Sequence, residues 1–357
     1  MKSKNAKLKY FLLLLLFAAM SYFSLVGVYR LASDRSSFLT PGIFSGRLYL
    51  LAALLLLTNY AADASRFYYI LKAMNVNVSW RQIVTLTFIN YFTSNVTPFA
   101  VGGSVAQIYF LNREGVPIGA ATAGTTIKTA LPILFYLVAA PVILVFDQSL
   151  DRVLPGRDSY LYMAFILALM TLGGVLAYKL LRNPDGFISG LSRLIGRFRR
   201  KKEVGSPALL DRFRKEVKMF QTHFSIYFSG SRRYVFLSAA LNLLFVFTLL
   251  LFPVLLIRDL NPAVPAEEII LSQIVITFVL YFAPTPGSAG FAEAAFTLLF
   301  SDYVSKNELV SLTFLWRLFT MYVGVIIGMA VFYVQLFRSG KGKRPGAGEK
   351  KGTTAEV

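Results

Sequence analysis

Three ionisable residues sit inside long apolar stretches of the chain: Lys128, Glu293 and Arg317. A charge at membrane depth costs a few kcal/mol, and such residues usually face the interior of a helix bundle and find a partner. Two cations against one carboxylate leave a surplus positive charge, which suits a pocket for an anionic headgroup with Lys128 and Arg317 as anchors. The plainer arrangement is a Glu293–Arg317 pair fastening two helices together, with Lys128 reaching out to the headgroups. Polar residues gather near these charges at two places rich in proline and glycine. Asn90, Ser94, Asn95, Thr97 and Ser104 surround Pro98, Gly102 and Gly103, while Thr285 and Ser288 lie among Pro284, Pro286, Gly287 and Gly290. They either bind headgroup oxygens or satisfy backbone groups freed where a helix breaks. Gln107 follows Pro98, and Glu293 follows Pro284, at the same offset of nine residues.

Other chemistries lack their residues. The chain has no cysteine and a single histidine, His223, so thiolate catalysis, disulfides, zinc–thiolate sites, histidine metal clusters and a Ser-His-Asp triad have nothing to be built from. A membrane-embedded transferase would need a base or a metal-binding carboxylate cluster. Asp34, Asp147, Asp151, Asp158 and Asp259 stand singly or in spread pairs, which suits neither. No cofactor and no metal are expected.

These residues must be positioned by membrane helices. Of the 357 residues, 56% are hydrophobic and 15% charged, against roughly 25% charged in soluble domains. The apolar residues arrive in uncharged blocks near the 20-residue length that crosses a bilayer. The net charge of +19 then reports orientation before it reports a partner. Segments 1–9, 63–81, 112–120, 179–233 and 338–357 carry +4, +2, 0, +10 and +4, whereas the remaining connections together carry −3. Basic segments stay cytoplasmic, which places both termini inside.

That assignment predicts an all-α polytopic protein with six spans, at 10–30, 48–66, 121–146, 159–181, 234–257 and 311–337. Stretches 82–111 and 268–301 must each begin and end on one side, and each is interrupted by proline and glycine, so they read as re-entrant helical hairpins. Residues 10–146 and 159–337 then form two inverted repeats joined by an outer loop at 147–158. Phe88-Ile89-Asn90-Tyr91-Phe92 before the first break is echoed by Phe278-Val279-Leu280-Tyr281-Phe282 before the second. Inverted repeats with broken helices are transporter architecture, with the substrate at the repeat interface. Arg30 ends the first span and snorkels. Asp63 and Arg66 read as an interfacial pair at the inner end of the second. Within the cytoplasmic segment 182–233, the basic residues of 193–218 interleave with apolar ones and predict an amphipathic helix lying on anionic lipid. No nucleic-acid module accompanies the charge, and 338–357 reads as a disordered tail.

At the breaks the sequence resembles the flippase-like membrane family typified by the transmembrane domain of lysylphosphatidylglycerol synthases, over roughly residues 10–337. Thr97-Pro98-Phe99 with Gly102-Gly103, the loop Asn112-Arg113-Glu114-Gly115-Val116-Pro117, Pro284-Thr285-Pro286-Gly287 through Gly290 to Glu293, and Arg317 carry the likeness. Arg66-Phe67 resembles an arginine–aromatic pair of that family. Two positions depart from it: Ser104 stands where many relatives have glutamate, and Lys128 where many have arginine. The resemblance implies a prokaryotic cytoplasmic membrane and movement of an anionic or zwitterionic phospholipid, or a polyprenyl-phosphate-linked headgroup, between leaflets. It does not imply synthesis, because the soluble aminoacyl-transferase domain of the full synthases has no counterpart here. A lipid-modifying transferase and a proton-coupled small-solute transporter are the alternatives.

Overall fold

The computed structural model describes residues 44–146 and 207–340, with scattered residues elsewhere. The expected spans at 10–30 and 159–181, Arg30, the loop at 147–158, the basic segment up to 206 and the tail beyond 340 lie outside the described stretches. The ordered elements are helices: α1 Gly46–Ala73, α2 Trp80–Asn95, α3 Val101–Arg113, α4 Ile118–Phe146, α5 Pro207–Ser229, α6 Arg232–Leu260, α7 Ala266–Leu280, α8 Phe291–Phe300, α9 Lys306–Arg317 and α10 Val323–Gly340. Among the described residues there is no strand.

Among the described residues, four stretches are long and apolar enough to cross a membrane: Gly46–Ala73, Ile118–Leu144, Arg232–Leu260 and Glu308–Leu336. The last joins α9 to α10 through a π turn at Leu318–Tyr322. The protein is a multi-pass membrane protein. Leu50, Leu54, Leu57, Val138, Val142 and Phe236 turn outward, an apolar belt that hydrocarbon satisfies. Several starts are written in the sequence. Ser45 caps α1 by accepting from the Leu48 amide, and Ser79–Gln82 and Ser305–Glu308 form reciprocal caps for α2 and α9, each satisfying amides that a helix end leaves unpaired.

Two breaks interrupt the apolar stretches where proline and glycine predict them. After α2, Pro98–Ala100 forms a 3-10 turn in which Phe99 and Ala100 both take φ +54°. After α7, Pro286–Ser288 forms its counterpart, with Gly287 at +59°, Ser288 at +54° and then Gly290 at +88°. The two turns match each other, but the register differs from the expected one. Pro98 answers to Pro286 and not to Pro284, and Ala289-Gly290 adds two residues before α8 begins. Gln107 therefore lies two turns into α3, whereas Glu293 is in the first turn of α8.

Packing places the breaks side by side. α2 packs against α3 and α7 against α8, and the two 3-10 turns touch each other. α1 runs along α6. The first arm of each interrupted pair crosses to the far half of the chain, α2 packing on α10 and α7 on α4. Gly328 of α10 makes the first contact possible, since a Cβ there would fall 2.1 Å from the Phe88 carbonyl oxygen. One apolar core gathers Phe67, Ile89, Phe92, Leu111 and Val325 around the first interrupted pair. A second gathers Phe252, Ile276, Phe296, Leu312 and Trp316 around the other.

Candidate functional site

The touching breaks, with α6, α7 and the α9–α10 junction, line a half-open cavity of about 270 Å³. Its wall takes Ser94, Asn95, Phe99 and Ala100 from the first break and Thr285, Gly287 and Ser288 from the second. Gln273, Thr277, Tyr281, Trp316, Arg317 and Thr320 add its other polar side chains. At roughly 30 Å³ per water the space corresponds to about nine waters, the scale of a lipid headgroup.

Arg317 is held as the sequence predicts. Its Nε donates to Glu293 Oε1 at 2.6 Å, and one terminal nitrogen donates to the Gly287 carbonyl at 2.9 Å. Glu293 is fully buried and also accepts from the Gly290 amide at 2.7 Å. As an acid in the first turn of α8 it meets the positive end of the helix dipole, so that N-terminus is already engaged by the protein's own carboxylate. The pair ties α8, the second break and the end of α9 into one unit. Two of the five guanidinium N–H groups are used, and Arg317 is 5% exposed at the cavity wall.

Lys128 is placed differently from the sequence expectation. It does not line the cavity. Its Nζ lies 3.3 Å from Asp63 Oδ2 and 5.0 Å over the Phe67 ring. Asp63 also takes two contacts from Arg66, at 2.7 Å from Nε and 2.6 Å from a terminal nitrogen. Arg66 goes on to donate to Asn242 Oδ1 at 2.7 Å and to the Lys128 carbonyl at 3.1 Å, and it stacks on Phe245 at 4.0 Å. Asp63, Arg66 and Lys128 are 2%, 4% and 3% exposed. The Asp63–Arg66 pair is therefore not interfacial. α1 continues through Phe67 and Ile70 to Ala73, so these charges sit within the helix and turn inward to bind α1, α4 and α6 together. Among the described residues the surplus positive charge belongs to this cluster, and Arg317 at the cavity wall is matched by the buried Glu293.

The remaining polar candidates divide. Asn95, Thr285 and Ser288 line the cavity while bonding the backbone, to the carbonyls of Tyr91, Ala289 and Leu280. Thr97 donates to the Thr93 carbonyl and accepts from the Gly102 amide at 2.9 Å, closing the turn ahead of α3. Asn90 accepts from Ser94 and backs onto Gly103, where a Cβ would lie 2.4 Å from Asn90 Oδ1. Gln107 is buried and donates to the Leu86 carbonyl at 3.2 Å, joining α3 to α2. Asn90, Thr97, Ser104 and Gln107 are outside the cavity wall. Gln273 and Trp316 are in it, and neither stands out in the sequence as a site residue. A lone glutamine in an apolar helix and one of only two tryptophans were the traces available.

The described part of the basic segment, α5, packs on the protein. Phe220, Phe224 and Tyr227 join Ile70, Met74 and Ile127 in a core cluster, and Glu216 accepts from the Gly119 amide at 2.7 Å. Burial raises the Tyr227 phenol above its usual range, opposed by its hydrogen bond with Ser238. The aromatic residues that follow 193–218 are thus used by α1 and α4, while Arg212, Arg214, Lys215 and Lys218 stay exposed.

The family described as lysylphosphatidylglycerol synthase TM region matches residues 7–328. A UPF0104 membrane protein of Archaeoglobus fulgidus is 22% identical over 298 residues, covering 82% of this chain and 88% of the relative.

Proposed function

This chain belongs to the lysylphosphatidylglycerol synthase transmembrane-region family, and from that premise we propose that it is a lipid translocase, moving a phospholipid or lipid-linked headgroup between leaflets. The observation that carries the proposal is that the two breaks touch and jointly wall one cavity, largely apolar, whose polar groups lie beside Arg317. Broken helices at membrane depth persist where they are buried or line a wet cavity. The main barrier to flipping is desolvation of the headgroup, so shielding that group while the acyl chains stay in the bilayer is sufficient. Asn95, Thr285, Ser288 and Arg317 offer the shield.

In this proposal α2–α3 and α7–α8 are re-entrant hairpins of two inverted repeats, with both termini cytoplasmic. The crossed packing of α2 on α10 and of α7 on α4 supports the repeat, as do the matching 3-10 turns. Rocking of one repeat against the other would open the cavity alternately. Lys128, Asp63 and Arg66 act as a hub and not as a substrate anchor. Transport is favoured over lipid modification because Glu293, the carboxylate paired with the cavity's Arg317, is held by that guanidinium and by the Gly290 amide. That engagement also speaks against Glu293 as a proton carrier.

Native mass spectrometry of the purified protein tests the binding step. A phospholipid adduct is expected on the wild type and a weakened one on the doubly substituted Glu293→Gln/Arg317→Gln protein, which keeps the charges balanced. A wild-type protein that carries no lipid under gentle release would overturn the proposal.

A further inference from the structure

Among the described residues, two side chains that line the cavity each carry a buried polar atom without a hydrogen-bond partner, one an acceptor and one a donor. Gln273 is 5% exposed, and its Nε2 donates to Thr277 Oγ1 at 3.3 Å. The Thr277 hydroxyl in turn donates to the Gln273 carbonyl at 2.8 Å. A hydroxyl has one proton, so towards the amide Thr277 can only accept. That fixes which end of the amide faces it and leaves Gln273 Oε1 as an acceptor with no partner. Trp316 is 3% exposed and stacks on Phe296 with centroids 4.4 Å apart and planes 16° apart, which holds its ring in place. Its Nε1 is a donor with no partner. A buried polar atom left unpaired is costly, and two of them in side chains that line one cavity, beside a guanidinium with N–H groups to spare, point to a ligand that draws these side chains to it and supplies the missing partners.

On the premise that this cavity is the headgroup site, we infer that Gln273 and Trp316 select the headgroup. The ligand must bring an acceptor for Trp316 Nε1 and Arg317, and an N–H or O–H donor for Gln273 Oε1. A phosphodiester provides the acceptor, and a primary amine or hydroxyl at the far end of the headgroup provides the donor. Because Glu293 offsets Arg317, the cavity does not demand a net negative charge. The chemical class is therefore a donor-bearing phosphodiester lipid, such as phosphatidylethanolamine or phosphatidylglycerol. Phosphatidylcholine has the same net charge as phosphatidylethanolamine but no N–H or O–H to give, so it leaves Gln273 unpaired. Sites built to pair a polar group discriminate strongly against an analogue that lacks it.

The chain reports on itself, because Trp80→Phe leaves Trp316 as its only tryptophan. Purified Trp80→Phe protein in detergent micelles is titrated with phosphatidylethanolamine, phosphatidylglycerol, phosphatidylcholine and water-soluble glycerophosphoethanolamine, following Trp316 emission. The two donor-bearing lipids are expected to bind at least tenfold tighter than phosphatidylcholine. Gln273→Leu in the same background should bring that ratio close to one; should that variant fail to fold, the lipid series on the Gln273 protein decides alone. Equal affinity for phosphatidylethanolamine and phosphatidylcholine would overturn the inference and leave the headgroup site standing. No response of Trp316 to any lipid would overturn both. Glycerophosphoethanolamine binding as tightly as the lipid would overturn the membrane as the ligand's source.

Discussion

Asp63 holds two cations where Glu293 holds one, and the difference decides what each charge can do. The Asp63–Arg66–Lys128 cluster is buried with a surplus positive charge. Removing the carboxylate strands two cations, and an uncompensated buried charge costs about 3–5 kcal/mol. Removing Lys128 leaves a balanced Asp63–Arg66 pair, and exchanging buried ionic groups for apolar ones of similar size is often neutral. Asp63→Asn should therefore lower unfolding stability in detergent by about 3 kcal/mol or more, and Lys128→Met by about 1 kcal/mol or less. The reverse order would show that Lys128 is the group holding the cluster. The Glu293–Arg317 pair was legible in the sequence, because both residues are the isolated charges of neighbouring apolar segments. The partner of Lys128 was not. Asp63 and Arg66 could be paired by their i, i+3 spacing, but nothing along the chain tells that α4 lays Lys128 against that face of α1. Gln273 and Trp316 stayed hidden for the same reason, since lacking a partner is a property of packing and not of spacing.

At the scale of elements, proline and glycine located both breaks within a few residues, because they act on the local backbone. Helix ends inferred from charge were less well placed. α1 runs to Ala73 and not to 66, since charges that pair inside a bundle do not mark a membrane boundary. The echo between the breaks was out of step because Pro98 answers to Pro286, two residues past Pro284, and Ala289-Gly290 adds two more before α8, which separates the roles of Gln107 and Glu293. Close approach of α10 to α2 depends on Gly328, where a Cβ would meet the Phe88 carbonyl oxygen at 2.1 Å and the Phe92 amide nitrogen at 3.0 Å. Both neighbours are backbone and cannot swing aside. Between membrane helices, tight packing is itself a main attractive force. Gly328→Val should force α10 away from α2 and lower the detergent melting temperature, at a cost of about 1–3 kcal/mol from overpacking. Gly115→Ala offers the comparison, since no atom lies near its Cβ position and only its positive φ is strained. A Gly328→Val protein as stable as the wild type would contradict the α2–α10 contact.

At the scale of the molecule, the crossed contacts make each half of the chain complete the other. The first interrupted pair shares its core with the end of the last span, and the cavity forms where the two breaks meet. The central claim is that this meeting point carries a headgroup from one leaflet to the other. The direct measurement is leaflet exchange of acyl-labelled phosphatidylethanolamine in proteoliposomes, read with a membrane-impermeant quencher. Wild-type protein should expose both leaflets to quenching well ahead of protein-free vesicles. Arg317→Ala and the charge-balanced Glu293→Gln/Arg317→Gln protein, each shown to be folded, should slow exchange at least tenfold. Wild-type exchange no faster than that of empty vesicles, or folded variants exchanging at the wild-type rate, would contradict the account.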